Sequence, residues 1–124
     1  MDFALTDEQT LIRDAAQDFL AQRSDSAAVR AAMDTAEGYD PDVWRQLAQE
    51  LGWCAITVPE EQGGLGLGLV EAVLVFEACG RRLLCAPLFA TAALAAQTLL
   101  LAGSAEARAH WLPRIAAGQL RATA

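Results

Sequence analysis

The sequence contains no lysine, and this absence excludes several kinds of enzyme chemistry. All nine basic residues of the 124 are arginines. A phosphate loop of the Walker A type, a lysine Schiff base and a lysine general base each need an amine that this chain lacks. The arginines are scattered singly apart from Arg81 and Arg82, and the net charge is −7. Because nucleic acid is bound by clustered positive charge, we do not expect it as a partner.

Long hydrophobic runs are also missing, although hydrophobic residues make up 54% of the chain. Polar residues interrupt the most apolar stretches, and none reaches the roughly 20 residues that a membrane-spanning helix needs. The N-terminus opens on acidic residues without a basic region and an apolar one behind it, so we expect no signal peptide. The composition predicts a folded cytoplasmic protein with a single core.

Cysteine and histidine are too dispersed to predict a metal centre or a catalytic pair. Cys54, Cys79 and Cys85 show no CxxC spacing and have no histidine nearby. We expect three buried, reduced thiols, since free cysteine behaves as a small hydrophobic residue. His110 has no serine, cysteine or aspartate partner placed by the sequence, which favours a surface or capping role. We therefore predict no catalytic and no metal-binding residue in this chain.

Apolar residues recur with helical spacing along most of the chain, which predicts an all-α fold. We expect an orthogonal or up-down bundle of about five to six helices, with a short extended segment near residues 53–58. Thr6 with Gln9 predicts a capping box, and Asp40 followed by Pro41 predicts another helix start. The expected helices run from Thr6 to near Arg23, from a cap within residues 24–26 to near Met33, from Pro41 to Leu51, from Leu69 to about Leu83, from Pro87 to Ala102, and from Ser104 to Gly118 with a kink or break at Pro113.

The most apolar of these helices begins at Leu69, directly after a glycine-rich turn. Its glycines, Gly63 to Gly68, do not fit the GxGxxG nucleotide fingerprint, so chain reversal is a better interpretation than a phosphate site. The helix itself is apolar nearly all round, which predicts burial on more than one side. Glu71 and Glu77 lie six residues apart on different faces, and we expect them to be exposed or ion-paired rather than catalytic.

Three stretches together resemble the N-terminal helical domain of the acyl-CoA dehydrogenase family. They are FALTDEQTLIRDAAQDFL, LGWCAITVPEEQGGLGLGLVEAVLVFEACGR and GSAEARAHWLPRIAAGQLRATA. The turn PEEQGGLGLG between two helices, followed by WLPRIAAGQ, is a specific combination. On this resemblance residues 1–118 form the helical domain, and residues 119–124 begin a middle β-barrel domain.

The resemblance implies a complete protein in which a β-barrel and a C-terminal four-helix bundle follow this domain and bind FAD. In the family, a glutamate of the bundle removes a proton from the acyl α-carbon while hydride passes from the β-carbon to the flavin. This chain stops before those parts, so we expect it to be inactive alone and to hold no FAD by itself. The expected partners of the complete protein are an acyl-CoA substrate, an electron-transfer acceptor and the other subunits of a homo- or hetero-oligomer.

The resemblance also implies that the last two apolar helices before Gly103 help to wall the cavity for the acyl tail. The candidate wall residues are Leu84, Pro87, Leu88, Thr91 and Leu94. The alternative is that these side chains belong to the core or face the absent domains. Burying a tail against them would contribute roughly 0.8 kcal/mol per methylene.

Two other interpretations of the whole chain remain open at this point. The first alternative is a non-catalytic partner subunit of a mixed acyl-CoA dehydrogenase assembly. The second is a self-standing helical interaction module whose apolar excess drives association. In every case we expect the helices to bury one another and to leave an apolar side exposed.

Overall fold

The computed structural model describes residues 3–124, and these form six α-helices and no strand. The helices are α1 (Asp7–Arg23), α2 (Ser26–Met33), α3 (Pro41–Arg45), α4 (Leu69–Arg81), α5 (Ala96–Ala102) and α6 (Ala105–Ala116). The π-helical segment Gln46–Glu50 prolongs α3, a second one at Phe89–Ala95 leads into α5, and Glu60–Gln62 forms a 3₁₀ turn. The all-α prediction is confirmed. The first two residues of the expected domain 1–118 lie outside the described part.

The helix starts are set by local capping, as the sequence predicts. The Gln9 backbone N–H donates to the Thr6 hydroxyl at 3.1 Å, and the Thr6 N–H donates to the Gln9 side-chain oxygen at 3.0 Å. Asp25, Asp40 and Ser104 cap α2, α3 and α6 in the same way. Each cap satisfies an N–H that the first helical turn leaves unpaired. Among residues 3–124 no helix is both long and apolar enough to cross a membrane.

Helices α1 and α4 pack along each other, and Glu71 links their ends. Its Oε2 accepts from the Gly68 N–H at 3.1 Å, and its Oε1 accepts from the Gln9 side-chain amide at 3.2 Å. Hydrogen bonds from its own backbone N–H, from Gln9 and from Gly68 hold the pKa of this carboxyl below its usual range. Glu77 lies 3.6 Å from Arg81 in an exposed ion pair. Glu71 is thus partly exposed and hydrogen-bonded, and Glu77 is ion-paired, in agreement with the prediction.

The core lies where α1, α3, α4 and α6 converge on the turn between α3 and α4. Its largest enclosed side chains include Leu20, Leu47, Val58, Leu112 and Ile115, each no more than 1% exposed. Large aliphatic side chains of this kind contribute roughly 1.5–3 kcal/mol each when fully buried. Packing of one apolar stripe from each helix thus stabilises the fold.

Residues 53–58 were expected to be extended, and the structure corrects this. They form consecutive turns, in which the Ala55 N–H donates to the Gly52 carbonyl at 2.9 Å and the Val58 N–H donates to the Ala55 carbonyl at 3.2 Å. Trp53, Cys54 and Val58 are buried all the same. These residues are apolar because the turns pass through the core. A short apolar run is equally compatible with a buried strand, so the sequence does not distinguish a buried turn from a strand.

The glycine-rich turn folds back onto these residues, so the chain-reversal interpretation is confirmed. The N–H groups of Leu65, Gly66 and Leu67 donate to the carbonyls of residues 55, 58 and 56 at 2.8–2.9 Å. Gly64 lies so close to Val58 that a Cβ at this position would be 1.9 Å from the Val58 carbonyl oxygen. Only glycine permits this approach.

One local expectation was wrong, and the structure refines two others. Leu51 is 39% exposed instead of lining the core, because the five-residue π turn before it shifts the phase of the helix. The helix predicted to start at Pro87 is present, since the Thr91 N–H donates to the Pro87 carbonyl at 3.1 Å, but its residues Phe89–Ala95 are π-helical. Pro113 does not break α6, since its missing N–H affects only the carbonyl of Ala109, an exposed residue that water can reach.

We predict that Gly64→Ala destabilises the domain by about 3 kcal/mol or more, because the new methyl group must displace buried backbone. The matched control is Gly80→Ala in α4, where a Cβ meets nothing within 4 Å. Alanine there should stabilise by up to about 1 kcal/mol, as expected for glycine replacement in a helix. Urea unfolding followed by circular dichroism measures both free energies. Equal effects of the two substitutions would contradict the assigned role of Gly64.

Candidate functional site

A group of partly exposed apolar side chains lies across α4 and the π-helical segment Phe89–Ala95 that leads into α5. Leu69, Val73 and Phe76 follow one another at intervals of four and three residues, so they share one side of α4. Phe89 meets Phe76 edge to face with ring centroids 5.7 Å apart. Ala93 follows Phe89 by about one turn. We call these five residues the α4/α5 face.

This face is exposed to an unusual degree for its composition. Leu69 is 66% exposed, Val73 57% and Phe89 60%. The sequence predicted burial of α4 on more than one side, whereas among residues 3–124 only its Ala72, Val75 and Ala78 side is buried. Contiguous apolar surface of this kind marks a site of interaction. The prediction of an exposed apolar side is therefore supported at this location.

A small cleft of about 50 Å³ runs between the two helices of the face. Leu69, Phe76 and Ala93 form its sides, and Trp53 and Ile56 lie at its base. At one end the Gln97 side-chain amide donates to the Thr57 hydroxyl at 2.6 Å. The sequence analysis did not predict this polar pair. The feature of the sequence that could have indicated it is Gln97, a single glutamine within a helix rich in alanine and leucine.

The five residues predicted to wall an acyl tail differ in how far they are exposed in this domain. Leu88 is 2% exposed and Thr91 fully buried, whereas Leu94 is 40% exposed. Leu84 and Pro87 are half-buried. Leu84 also lines a separate groove of about 260 Å³ with Val29 and other residues of α2 and α3.

Cys54 is buried as the sequence predicts, whereas Cys79 and Cys85 are only half-buried. Burial raises the pKa of Cys54 and of Cys79 to about 12, so both thiols stay protonated and unreactive near neutral pH. Cys85 is also a free thiol and is half-buried. His110 is exposed and packs edge to face on Trp111 with centroids 4.5 Å apart. None of these residues forms a catalytic pair within residues 3–124.

The glycine-rich turn does not fit the pyrophosphate of a flavin or another dinucleotide. Phosphate binding by such a loop needs backbone N–H groups that point outward to the ligand. Here the N–H groups of Gly63, Gly64, Leu65, Gly66 and Leu67 all donate to carbonyls of residues 55–60. The turn is thus committed to holding α4 against the core.

Comparison with known proteins shows which family this arrangement belongs to. Residues 6–119 match the family described as acyl-CoA dehydrogenase, N-terminal domain. The acyl-CoA dehydrogenase IpdE2 of Mycobacterium tuberculosis is 39% identical over 103 residues, which are 83% of this chain and 32% of that protein. The benzylmalonyl-CoA dehydrogenase of Aromatoleum aromaticum is 41% identical over 81 residues, 65% of this chain and 21% of that protein.

Solved structures give the same result for the fold. The ChsE4-ChsE5 complex from Mycobacterium tuberculosis contains a chain with a TM-score of 0.84 and 27% identity, over 96% of this chain and 32% of that one. A variant of the Tcur3481-Tcur3483 steroid ACAD gives a TM-score of 0.82 and 30% identity, over 92% and 31%. The chain spans about a third of the length of IpdE2 and of these two structures, and about a fifth of the benzylmalonyl-CoA dehydrogenase. This protein belongs to the acyl-CoA dehydrogenase family and corresponds to its N-terminal helical domain.

We predict that the α4/α5 face adds little to the stability of this domain by itself. Val73→Thr keeps the shape of the side chain and should change the unfolding free energy by no more than about 0.5 kcal/mol, because Val73 is mostly in water already. Val75→Thr on the same helix is the matched control. Val75 is 1% exposed, so a hydroxyl there should cost about 1–3 kcal/mol. A large loss from Val73→Thr in thermal or urea unfolding would mean that the face belongs to the core.

Proposed function

We propose that this domain works as part of a flavin-dependent acyl-CoA dehydrogenase, which forms a double bond between the α and β carbons of an acyl-CoA thioester. The observation that carries the proposal is the family match over residues 6–119. Relatives named as acyl-CoA dehydrogenases at 38–39% identity support it. FAD would supply the hydride acceptor for this reaction.

The flavin and the catalytic base would come from parts of the enzyme outside these 124 residues. The glycine-rich turn has no free N–H groups for the cofactor, and the buried thiols are protonated. We therefore infer that the 124-residue chain is inactive and colourless alone. Its task is to present the α4/α5 face to the segments that hold the flavin, which would bury Leu69, Val73 and Phe89.

The second part of the proposal is that Leu84, Pro87, Leu88, Thr91 and Leu94 wall the acyl tail. Leu94, at 40% exposure, would touch the tail directly, and the half-buried Leu84 and Pro87 would flank it. Leu88 and Thr91 are enclosed and would support the wall from beneath. Small side chains around Leu94, such as Ala90 and Ala93, leave room for a bulky acyl group. The ring-bearing compounds in the names of two relatives, a benzylmalonyl-CoA dehydrogenase and a steroid ACAD, support bulky substrates.

We further propose that the complete enzyme is an oligomer and passes electrons to a separate acceptor in the cytoplasm. Two similar structures carry the names of paired chains, ChsE4-ChsE5 and Tcur3481-Tcur3483, which supports assembly from more than one subunit. The family match does not favour a self-standing helical module or a purely non-catalytic partner.

We predict that Leu94→Trp, made in an enzyme that carries this domain together with its flavin-binding parts, shifts the preference toward smaller acyl groups. The indole would occupy space at the tail, so kcat/KM should fall about tenfold or more for bulky acyl-CoA esters and stay nearly constant for short ones. Parallel assays with an artificial electron acceptor over a series of acyl-CoA esters measure the ratio.

Leu101→Trp provides the control, since Leu101 is 85% exposed and lies two turns further along the same helix. It should leave the substrate preference unchanged. An unaltered ratio in the Leu94→Trp enzyme would remove this residue from the acyl site. Absence of any acyl-CoA oxidation by the flavin-loaded parent enzyme would instead contradict the proposed activity as a whole.

A further inference from the structure

Residues 120–122, which we call the strap, follow α6 and lie without regular secondary structure across the α5 helix. Each of the three residues has its own attachment. Leu120 is half-buried and packs on the core. The guanidinium of Arg121 stacks on the Tyr39 ring at 5.6 Å and donates a hydrogen bond to the Tyr39 hydroxyl. Ala122 is bound by Thr91.

Two hydrogen bonds join Thr91 to Ala122. The Thr91 hydroxyl donates to the Ala122 carbonyl at 3.2 Å and accepts from the Ala122 N–H at 3.1 Å. A helical threonine ordinarily turns its hydroxyl back to a carbonyl of its own helix. Thr91 is instead fully buried with its hydroxyl given to the strap, in the π-helical segment Phe89–Ala95. One side chain therefore satisfies both backbone groups of a strap residue.

The strap also forms one side of an apolar concavity of about 430 Å³. Leu99 of α5 and Trp111 and Ile115 of α6 line the opposite sides. Within residues 3–124, the hydrogen bonds that hold residues 120–122 to the rest of the domain are those of Arg121 and Ala122. A segment with so few attachments and no helical bonds opens before the core does.

We propose that the strap is a conformational device, latched by Thr91, that opens as a unit without unfolding of the helices. In the closed state the strap covers Thr91 and closes one side of the concavity that Leu99 and Ile115 line. In the open state these side chains become accessible. The Thr91 hydroxyl sets the balance between the two states, and the Arg121–Tyr39 contact assists it. The inference concerns this chain alone and stands whether or not the proposed function is correct.

Limited trypsin digestion of the 124-residue chain tests the latch, because cleavage after Arg121 needs an undocked, extended strap. Thr91→Val removes both hydrogen bonds and keeps the side-chain shape. The rate of cleavage after Arg121, followed by mass spectrometry, should rise about tenfold to a hundredfold. Thr91→Ser keeps the hydroxyl and should stay within about threefold of the parent rate. Thr98→Val is the matched control, since Thr98 lines the same concavity and has no bond to the strap.

Amide exchange at Val75 in the core distinguishes local opening from general unfolding. We expect it to be unchanged in Thr91→Val, while NMR contacts from the Leu120 methyl groups to the core weaken. Arg121→Gln, which leaves the core untouched and removes the trypsin site, should weaken the same Leu120 contacts. The inference is overturned if cleavage after Arg121 is as slow in Thr91→Val as in the parent. It is equally overturned if Val75 exchange accelerates by the same factor as cleavage, because the strap would then open only with the whole domain.

Discussion

The contact of Gly64 with the carbonyl of Val58 is the constraint on which the rest of this structure depends. It lets residues 65–67 hydrogen-bond to the buried turns at 55–58. Those bonds place the start of α4 directly after the turn, where the helix packs along α1. They also occupy the N–H groups that a glycine-rich loop would need for a phosphate. The same contact thus fixes the fold and assigns the turn a structural task.

Helix α4, once placed, has a buried side and an exposed apolar one. Its small residues Ala72 and Ala78 permit close packing inward, and Leu69 and Val73 remain in water together with Phe89. A chain of this size with so much exposed apolar surface is suited to be covered by other protein. The family match and the one-third coverage of the relatives agree with a domain that packs against further parts of an enzyme.

Much of the fold could be predicted because its signals are local. Thr6, Asp40 and Gly52 act through their immediate neighbours, and the helix limits they predict are close to those observed. The sequence could not distinguish the turns at residues 53–58 from a strand. Their apolar composition reflects burial in the core, and it carries no information about the backbone conformation. The two hydrogen bonds between Thr91 and Ala122 join residues that are 31 apart in sequence. No periodic pattern in the sequence predicts a contact over that distance. The grouping of an acyl-tail wall stays a prediction, since it depends on surfaces beyond this domain.

Hydroxyl-radical footprinting of side chains tests the central claim, that the α4/α5 face is made to be covered by the rest of an acyl-CoA dehydrogenase. The 124-residue chain and the complete flavin-loaded enzyme would be labelled in parallel. The account predicts that Leu69, Val73 and Phe89 react readily in the isolated chain and become protected in the complete enzyme, whereas Val75 is protected in both. Equal reactivity of those three side chains in the two samples would contradict it.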